Sequence, residues 1–243
     1  MGGLLRLPLK LIPRTAVLPI TSGPLRGSRW VVGSSVASCW LGWYEREKLA
    51  EMEEHIRPGD VVYDIGAQAG YHSLLSSRLV GEAGMVYAFE PLPRNYDFLV
   101  RHLDLNGVSN VRAVQAAMSD AEGELRFDPG PGFMAGHLST EGSLRVQCST
   151  VDNWASGPEI PAPSVMKIDV EGAEVKVLEG ARETLRRSRP VVMIDTHDFL
   201  GVGYIGLHEQ CCSLLRREQY KLQCTPSPGP RKAGSILAVP EPL

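Results

Sequence analysis

The sequence predicts an α/β protein built on a mainly parallel sheet with helices on both faces. Three observations carry that reading. From Asp60 onward, short apolar segments alternate with amphipathic helical ones, the order of repeated strand–helix–strand units. The apolar segments "VVYDIG", "GMVYAFE" and "PVVMIDTH" show no polar alternation, as expected of strands covered on both faces. All three end at or near an acid, and open α/β sheets bind their ligands beyond the carboxyl ends of their strands.

The elements follow in order. Residues 15–44 read as β-rich, with "TAVLPI" and "SRWVVG" flanking the turn cluster "TSGPLRG", which predicts a hairpin. "YEREKLAEMEEHI" places Leu49, Met52 and Ile56 at helical spacing. "VVYDIG" is the first strand of the regular pattern, and "YHSLLSSRLV" follows as a helix with Tyr71, Leu74, Leu75 and Leu79 on one side. "GMVYAFE" is the second strand, and "RNYDFLVRHLDLNG" a helix stopped by Asn106-Gly107. "NVRAVQAAM" is the third strand. "GELRFDPG" and "GSLRVQCST" read as an inserted hairpin pair around "PGPGFMAGHLSTE". "SVMKIDV" is the fourth strand, "AEVKVLEGARETLRR" a single helix, "PVVMIDTH" the fifth strand and "LHEQCCSLLRREQ" a helix. "YKLQCT" and "SILAVP" are joined by the loop "TPSPGPRKAG" with no helix between them, so they predict an antiparallel hairpin at the sheet edge. The division expected is an N-terminal arm and hairpin, 1–44, and a main domain, 45–243.

Composition narrows the function. The 243 residues are 43% hydrophobic and 22% charged, with a net charge of -3, an ordinary globular balance without the basic field of a nucleic-acid binder. Before Glu45 there are Arg6, Lys10, Arg14, Arg26 and Arg29 and no acid, a charge of +5, so the remainder carries -8. The five cysteines, Cys39, Cys148, Cys211, Cys212 and Cys224, form no CxxC pair. They read as reduced thiols in the cytoplasm rather than a disulfide frame or a zinc site. No apolar run is long enough for a membrane span. Pro8 and Pro13 interrupt "MGGLLRLPLKLIPR", which therefore reads as an extended arm rather than a signal peptide or surface helix.

The first strand runs into "DIGAQAGYHS". Gly66 and Gly70 allow a sharp turn and close approach of a ligand, and the turn feeds the N-terminus of a helix, with its free N–H donors. The spacing is GxxxG rather than GxGxxG, so a dinucleotide is disfavoured. Glu90 ends the second strand, where a carboxylate accepts both ribose hydroxyls of a nucleoside and disfavours a phosphorylated ribose. A nucleoside without phosphate, joined to an amino acid, is S-adenosyl-L-methionine.

"VVYDIGAQAGYHSLLSSRLVGEAGMVYAFEPLPRNYDFLVRHLDLNG", "KIDVEGAEVKVLEGA" and "PVVMIDTH" together resemble the FkbM family of S-adenosylmethionine-dependent methyltransferases. The likeness covers roughly residues 43 to 198, and "KIDVEGAE" is its most distinctive part. It implies a class I methyltransferase (Rossmann-like) fold, a seven-stranded sheet with an antiparallel last strand, and O-methylation of a hydroxyl on a sugar or secondary metabolite. Carried over by position, it puts Asp64, Gly66, Ala67, Gln68, Gly70 and Tyr71 along the methionine and ribose, and Glu90 and Pro91 at the ribose. Ala117 falls near the adenine, and Asp169 borders the cofactor. Asp120 sits slightly late for the acid that many methyltransferases place at the adenine amine. Gln68 departs from the Asn common in the family's loop.

Methyl transfer from a sulfonium is an in-line displacement helped by alignment and by a base near the acceptor hydroxyl. Asp169 and Glu171 end the fourth strand and Asp195 and His197 the fifth, each pair at i, i+2 and so directed to one side. The catalytic reading is His197 as base, oriented by Asp169, with Glu171 beside them. The alternatives are that Asp169 and Glu171 cap the following helix, or that the set holds a divalent metal in a metal-assisted reaction. No metal is expected in the principal reading. Lys167, in a buried strand, needs Asp169 or Glu171 as partner. The acceptor pocket is expected to be closed by the segment bearing Trp30, Trp40 and Trp43, by "PGPGFMAGH" and by "DFLGVGYIG". A nicotinamide dehydrogenase would carry GxGxxG. A base-modifying amino-methyltransferase would carry N/D-P-P-Y/F where this chain has "DVEG". A non-catalytic binding module would have lost the loop or Glu90. The partner expected is a small-molecule or glycan acceptor, not nucleic acid.

Overall fold

The computed structural model describes residues 11–128, 137–138, 142–157, 160–197, 204–226 and 232–242. The arm 1–10, most of "PGPGFMAGHLSTE", the first residues of "DFLGVGYIG" and the middle of "TPSPGPRKAG" lie outside them. The N-terminal hairpin pairs β1 (Val17–Pro19) with β2 (Arg29–Val31), Val17 opposite Val31. A short helix that the sequence did not predict, α1 (Ala37–Leu41), precedes α2 (Arg46–His55). The regular pattern then unfolds as β3 (Val61–Ile65), α3 (Tyr71–Val80), β4 (Met85–Phe89), α4 (Pro93–Leu105) and β5 (Val111–Val114). An inserted sheet holds β6 (Ala117–Met118), β7 (Gly123–Asp128), β8 (His137–Leu138) and β9 (Leu144–Ser149), and α5 (Val151–Ala155) leads back. The chain closes through β10 (Val165–Ile168), α6 (Glu174–Glu179), α7 (Arg182–Arg187), β11 (Val191–His197), α8 (Tyr204–Arg217), β12 (Tyr220–Pro226) and β13 (Lys232–Pro240).

The main sheet has seven strands in the order β12-β13-β11-β10-β3-β4-β5. Strands β11, β10, β3, β4 and β5 run parallel. β13 lies between β11 and β12, antiparallel to both, so the predicted antiparallel hairpin stands at the edge. The small sheet has the order β6-β9-β7-β8. The expected third strand therefore divides: Val111–Val114 stays in the main sheet and Ala117–Met118 joins the insertion.

Strand alternation sorts the core onto the two faces. Val62, Val86 and Ala88 join one apolar cluster with α3, α4 and the hairpin. Tyr63, Ile65, Tyr87, Phe89, Met166 and Ile168 join the other, with α6, α7 and α8. Each large side chain buried this way contributes about 1.5–3 kcal/mol. The helix expected over "AEVKVLEGARETLRR" breaks at Gly180, where a Cβ would stand 2.0 Å from the Ser119 carbonyl. The second half restarts under Asp152, whose carboxylate accepts from the backbone N–H groups of Glu183 (3.0 Å) and Thr184 (2.7 Å).

The hairpin is bolted to the core. Trp30 is fully buried and stacks on His102, ring centroids 3.8 Å apart. Val31 N–H donates to His102 Nε2 (3.0 Å), so Nδ1 carries the ring proton and donates to the Ala69 carbonyl (2.7 Å). A neutral imidazole thus ties the hairpin to the loop after β3. Burial holds its pKa down at about 4. Among the described residues no helix is long and apolar enough to cross a membrane.

Candidate active site

The loop between β3 and α3 is shaped by backbone that only certain residues tolerate. Gly66 has φ 81°, and a Cβ there would come within 1.9 Å of the Asp169 carbonyl. Gly70, φ 88°, leads into α3 under Leu99, whose Cδ1 would lie 2.6 Å from a Cβ. Gln68 between them is also left-handed, φ 49°, a conformation that Asn adopts more readily than Gln. Ser35 Oγ donates to Gln68 Oε1 (3.1 Å), so the N-terminal segment steadies this residue.

Glu90, at the end of β4, is nearly inaccessible. Its two oxygens accept from Gln68 N–H (2.8 Å) and Leu92 N–H (2.9 Å). Burial pushes its pKa up to about 7, against the pull of these bonds, the Asn95 amide and the charge of Lys167. A carboxylate so placed gains from further hydroxyl donors. Beside it opens a cavity of about 890 Å³, part of it open to solvent. Phe89, Leu92, Ala116, Ala117, Met118 and Phe127 give it an apolar wall, suited to a flat aromatic base.

A charged cluster closes the other part. Lys167 is buried on β10, where Nζ donates to the Gly66 carbonyl (2.9 Å) and lies 3.2 Å from Asp64 and 3.9 Å from Asp169. Burial lowers its pKa, but Asp64 and Asp169 outweigh that and leave it raised. Asp64, which the sequence did not suggest, is thus the nearer partner, and Asp169, which it did, is the farther one. Asp64 is itself buried and accepts from Ser73 Oγ (2.6 Å). It supports the site from behind, and so does Gly70. Gly66, Ala67, Gln68, Tyr71, Glu90, Pro91, Ala117, Asp169 and Glu171 line the cavity. Asp120 does not line it; its carboxylate accepts from Ser119 Oγ (2.9 Å) and pairs with Lys176 (3.6 Å).

The three residues expected to be catalytic do converge. His197 Nδ1 lies 3.6 Å from Asp169 and 3.3 Å from Glu174, and Nε2 lies 4.0 Å from Glu171. Carboxylates only accept, so both ring nitrogens are placed to carry protons. Burial pulls the His197 pKa down, but Glu174, Asp169 and Glu171 together raise it to about 9. At neutral pH the ring is an imidazolium, and it stands behind the acids rather than on the cavity wall. A resting ring in that state has no lone pair with which to act as the expected base. Asp195 turns to Ser235 Oγ (2.5 Å) and Lys48 (3.6 Å).

Several residues here escaped the sequence. Glu174 is fully buried; it falls three and four residues before Val177 and Leu178, so its place on the apolar face of α6 was the available signal. Among the described residues, Tyr44, not a tryptophan, is the N-terminal residue on the cavity wall, while Trp30 and Trp40 are core and Trp43 is exposed. Asn95 and His72 also line it, from the first turns of α4 and α3, where neither carried a cue. Glu45, Gln68 and Glu171 all have positive φ, and such strain collects at functional sites.

The donor set fits a phosphate-free nucleoside carrying positive charge: one buried carboxylate beside an apolar slot, and acids farther along. The comparisons agree. The Methyltransferase FkbM domain profile matches residues 64–222, more than half of the chain. A hexuronic acid methyltransferase, AglP, of Haloferax volcanii is 31% identical over 155 residues, 63% of this chain and 62% of that protein. A 2-O-methyltransferase, NoeI, of Sinorhizobium fredii is 27% identical over 55% of this chain and 62% of that one. The chain thus spans about three-fifths of the length of these relatives. Among solved structures, Aeropyrum pernix fibrillarin with natively bound S-adenosyl-L-methionine aligns at a TM-score of 0.53, with 14% identity, over 79% of this chain and 74% of that one. The methyltransferase FkbM of Methylobacillus flagellatus aligns at 0.52, with 16% identity, over 83% and 53%. These likenesses give the class I methyltransferase fold.

Proposed function

The chain belongs to the FkbM methyltransferase family, and we propose that it moves a methyl group from S-adenosyl-L-methionine to a hydroxyl of a sugar or secondary metabolite, in the cytoplasm where that donor is made. The observation that carries this is one cavity with Glu90 in an apolar part and Asp169 and Glu171 in a charged part. The names of the two curated relatives, both sugar-type or O-methyl transferases, support the acceptor class.

When bound, S-adenosyl-L-methionine supplies an electrophilic methyl group on a sulfonium. Glu90 would hold the ribose hydroxyls, and the wall of Ala117, Met118 and Phe127 would take the adenine. Asp169 accepts the hydrogen bond of the acceptor hydroxyl. The methyl–sulfur bond would break as the C–O bond formed, leaving a neutral thioether, and the hydroxyl proton, made strongly acidic by that bond, would pass to the carboxylate. Glu171 offers a second acceptor and helps to orient the substrate. His197 acts as a positioning residue: its charge offsets the repulsion between Asp169, Glu171 and Glu174 and fixes their geometry. Most of the acceleration then comes from alignment.

Calorimetry with S-adenosyl-L-methionine, followed by transfer assays on a panel of uronic acids and neutral sugars, tests the proposal. Tight binding lost in Glu90→Ala, with methyl transfer to a sugar hydroxyl, is the expected result; absence of cofactor binding would sink it. A second reading has one observation behind it. Ligand atoms of Asp169, Glu171 and His197 all lie within 4.8 Å of one another, a set that could hold a divalent ion once His197 loses a proton. Turnover that survives chelation favours the proton-acceptor role; turnover restored only by added Mg²⁺ favours the metal.

A further inference from the structure

We propose that His208, Cys212 and Cys224 form a binding site for Zn²⁺ that clips α8 to the edge strand β12, away from the methyl-transfer cavity. The spacing of the cysteines along the chain does not announce such a site, because its members come from two elements. His208 and Cys212 are four residues apart on α8 and share one face. Cys224 is on β12, which α8 packs against. Ligand atoms of the three lie within 4.8 Å of one another. The two sulfurs are 3.7 Å apart. A tetrahedral zinc with Zn–S bonds of about 2.3 Å sets two thiolates about 3.8 Å apart, so the pair stands at the required separation.

The histidine is in the right protonation state. Thr196 Oγ1 donates its single proton to the Gly234 carbonyl (2.9 Å), so at the 3.1 Å contact with His208 Nδ1 it accepts. Nδ1 therefore carries the ring proton and Nε2 the lone pair, the arrangement in which an outer hydrogen bond orients a metal-binding imidazole. Burial lowers the His208 pKa, which disfavours the imidazolium form. Cys224 is exposed and gives a metal access, whereas Cys212 is buried. Two thiolates, a neutral imidazole and Zn²⁺ sum to zero charge, which suits a half-buried site. Binding releases both thiol protons to solvent. Affinity should therefore rise with pH. With three protein ligands, the fourth position is left for water.

The test uses the whole chain, reduced and metal-free, titrated with Co²⁺. The expected result is a near-ultraviolet thiolate-to-cobalt absorption that saturates at an equimolar amount, is displaced by Zn²⁺, and persists in Asp169→Asn. Cys224→Ser and His208→Ala, with unchanged circular dichroism, should each bind Co²⁺ at least about tenfold more weakly. Zn²⁺ should also slow alkylation of Cys224 at least about tenfold. No thiolate absorption, or one unchanged in Cys224→Ser, overturns the proposal. So does a Cys212–Cys224 disulfide in the purified protein combined with no metal uptake after reduction, which would make the pair a redox couple instead.

Discussion

Two buried histidines, one against the loop after β3 and one beside the acids that follow β10, are held in opposite charge states. His102, on α4, faces one donor and one acceptor, the Val31 N–H and the Ala69 carbonyl, and is neutral. His197, at the end of β11, faces three carboxylates, Asp169, Glu171 and Glu174, and is charged. Both are almost inaccessible, so burial alone does not decide the charge. The number of donors and acceptors around the ring does. One site is a joint that resists water and protons. The other is an electrostatic support that keeps three acids close together without mutual expulsion.

Removing one acid from the charged site is the most severe way to break this contrast. Asp169→Asn should lower turnover by about 10²–10⁴-fold, with cofactor affinity held within a few-fold, as read by steady-state kinetics beside calorimetry. The same change should bring the His197 pKa down from about 9, as followed by NMR titration. If turnover is untouched, Asp169 is not the proton acceptor.

Next in size is the neutral site. His102→Ala removes a stacking partner of Trp30 and leaves Val31 N–H and the Ala69 carbonyl unserved. Unfolding in urea should show a loss of about 3 kcal/mol. No loss would mean that the hairpin is held by its apolar contacts alone.

The contrast also predicts a pH profile with two limbs. His102 has a folded pKa of about 4, below its ordinary 6.5. As pH falls from 6.5 toward 4 the unfolded chain binds the proton first, so stability declines, by up to about 3 kcal/mol. His197 has a folded pKa of about 9, above 6.5. Its contribution is complete below pH 6.5 and is lost as pH rises through 9, with a similar upper bound of about 3 kcal/mol. His102→Gln should flatten the acid limb only, and His197→Gln the alkaline limb only. Thermal melts across pH measure both.

The smallest effect belongs to Gln68. Gln68→Asn eases a left-handed backbone but forfeits the bond from Ser35 Oγ. The net change in stability should stay within about 1 kcal/mol, and a larger loss would show that the Ser35 contact governs the loop.

What the sequence made legible followed from local pattern. Strands buried on both faces, the turn at Gly66 and Gly70, Glu90 at a strand end, and the hairpin of β12 and β13 each leave a mark within a dozen residues. The convergence of Asp169, Glu171 and His197 was legible because the strand-end rule needs only strand order. What stayed hidden depends on distant partners. Lys167 could be seen to need an acid, but Asp64 lies across a strand pairing. Trp30 and His102 meet from positions 72 residues apart in a chain that gives no periodic sign of it. The resting charge of His197 depended on Glu174, read as an ordinary helix residue.

The position of β13 bears on how the protein is made. β11 carries Asp195 and His197 and is hydrogen-bonded on one side to β10 and on the other to β13. On the ribosome, residues 191–197 emerge well before 232–240. Through that interval the strand that supports the proposed catalytic acids has an open edge, available to any other strand nearby. The acid cluster at the end of β10 is therefore among the late parts of the molecule to be enclosed, although the loop after β3 is among the early ones to be made.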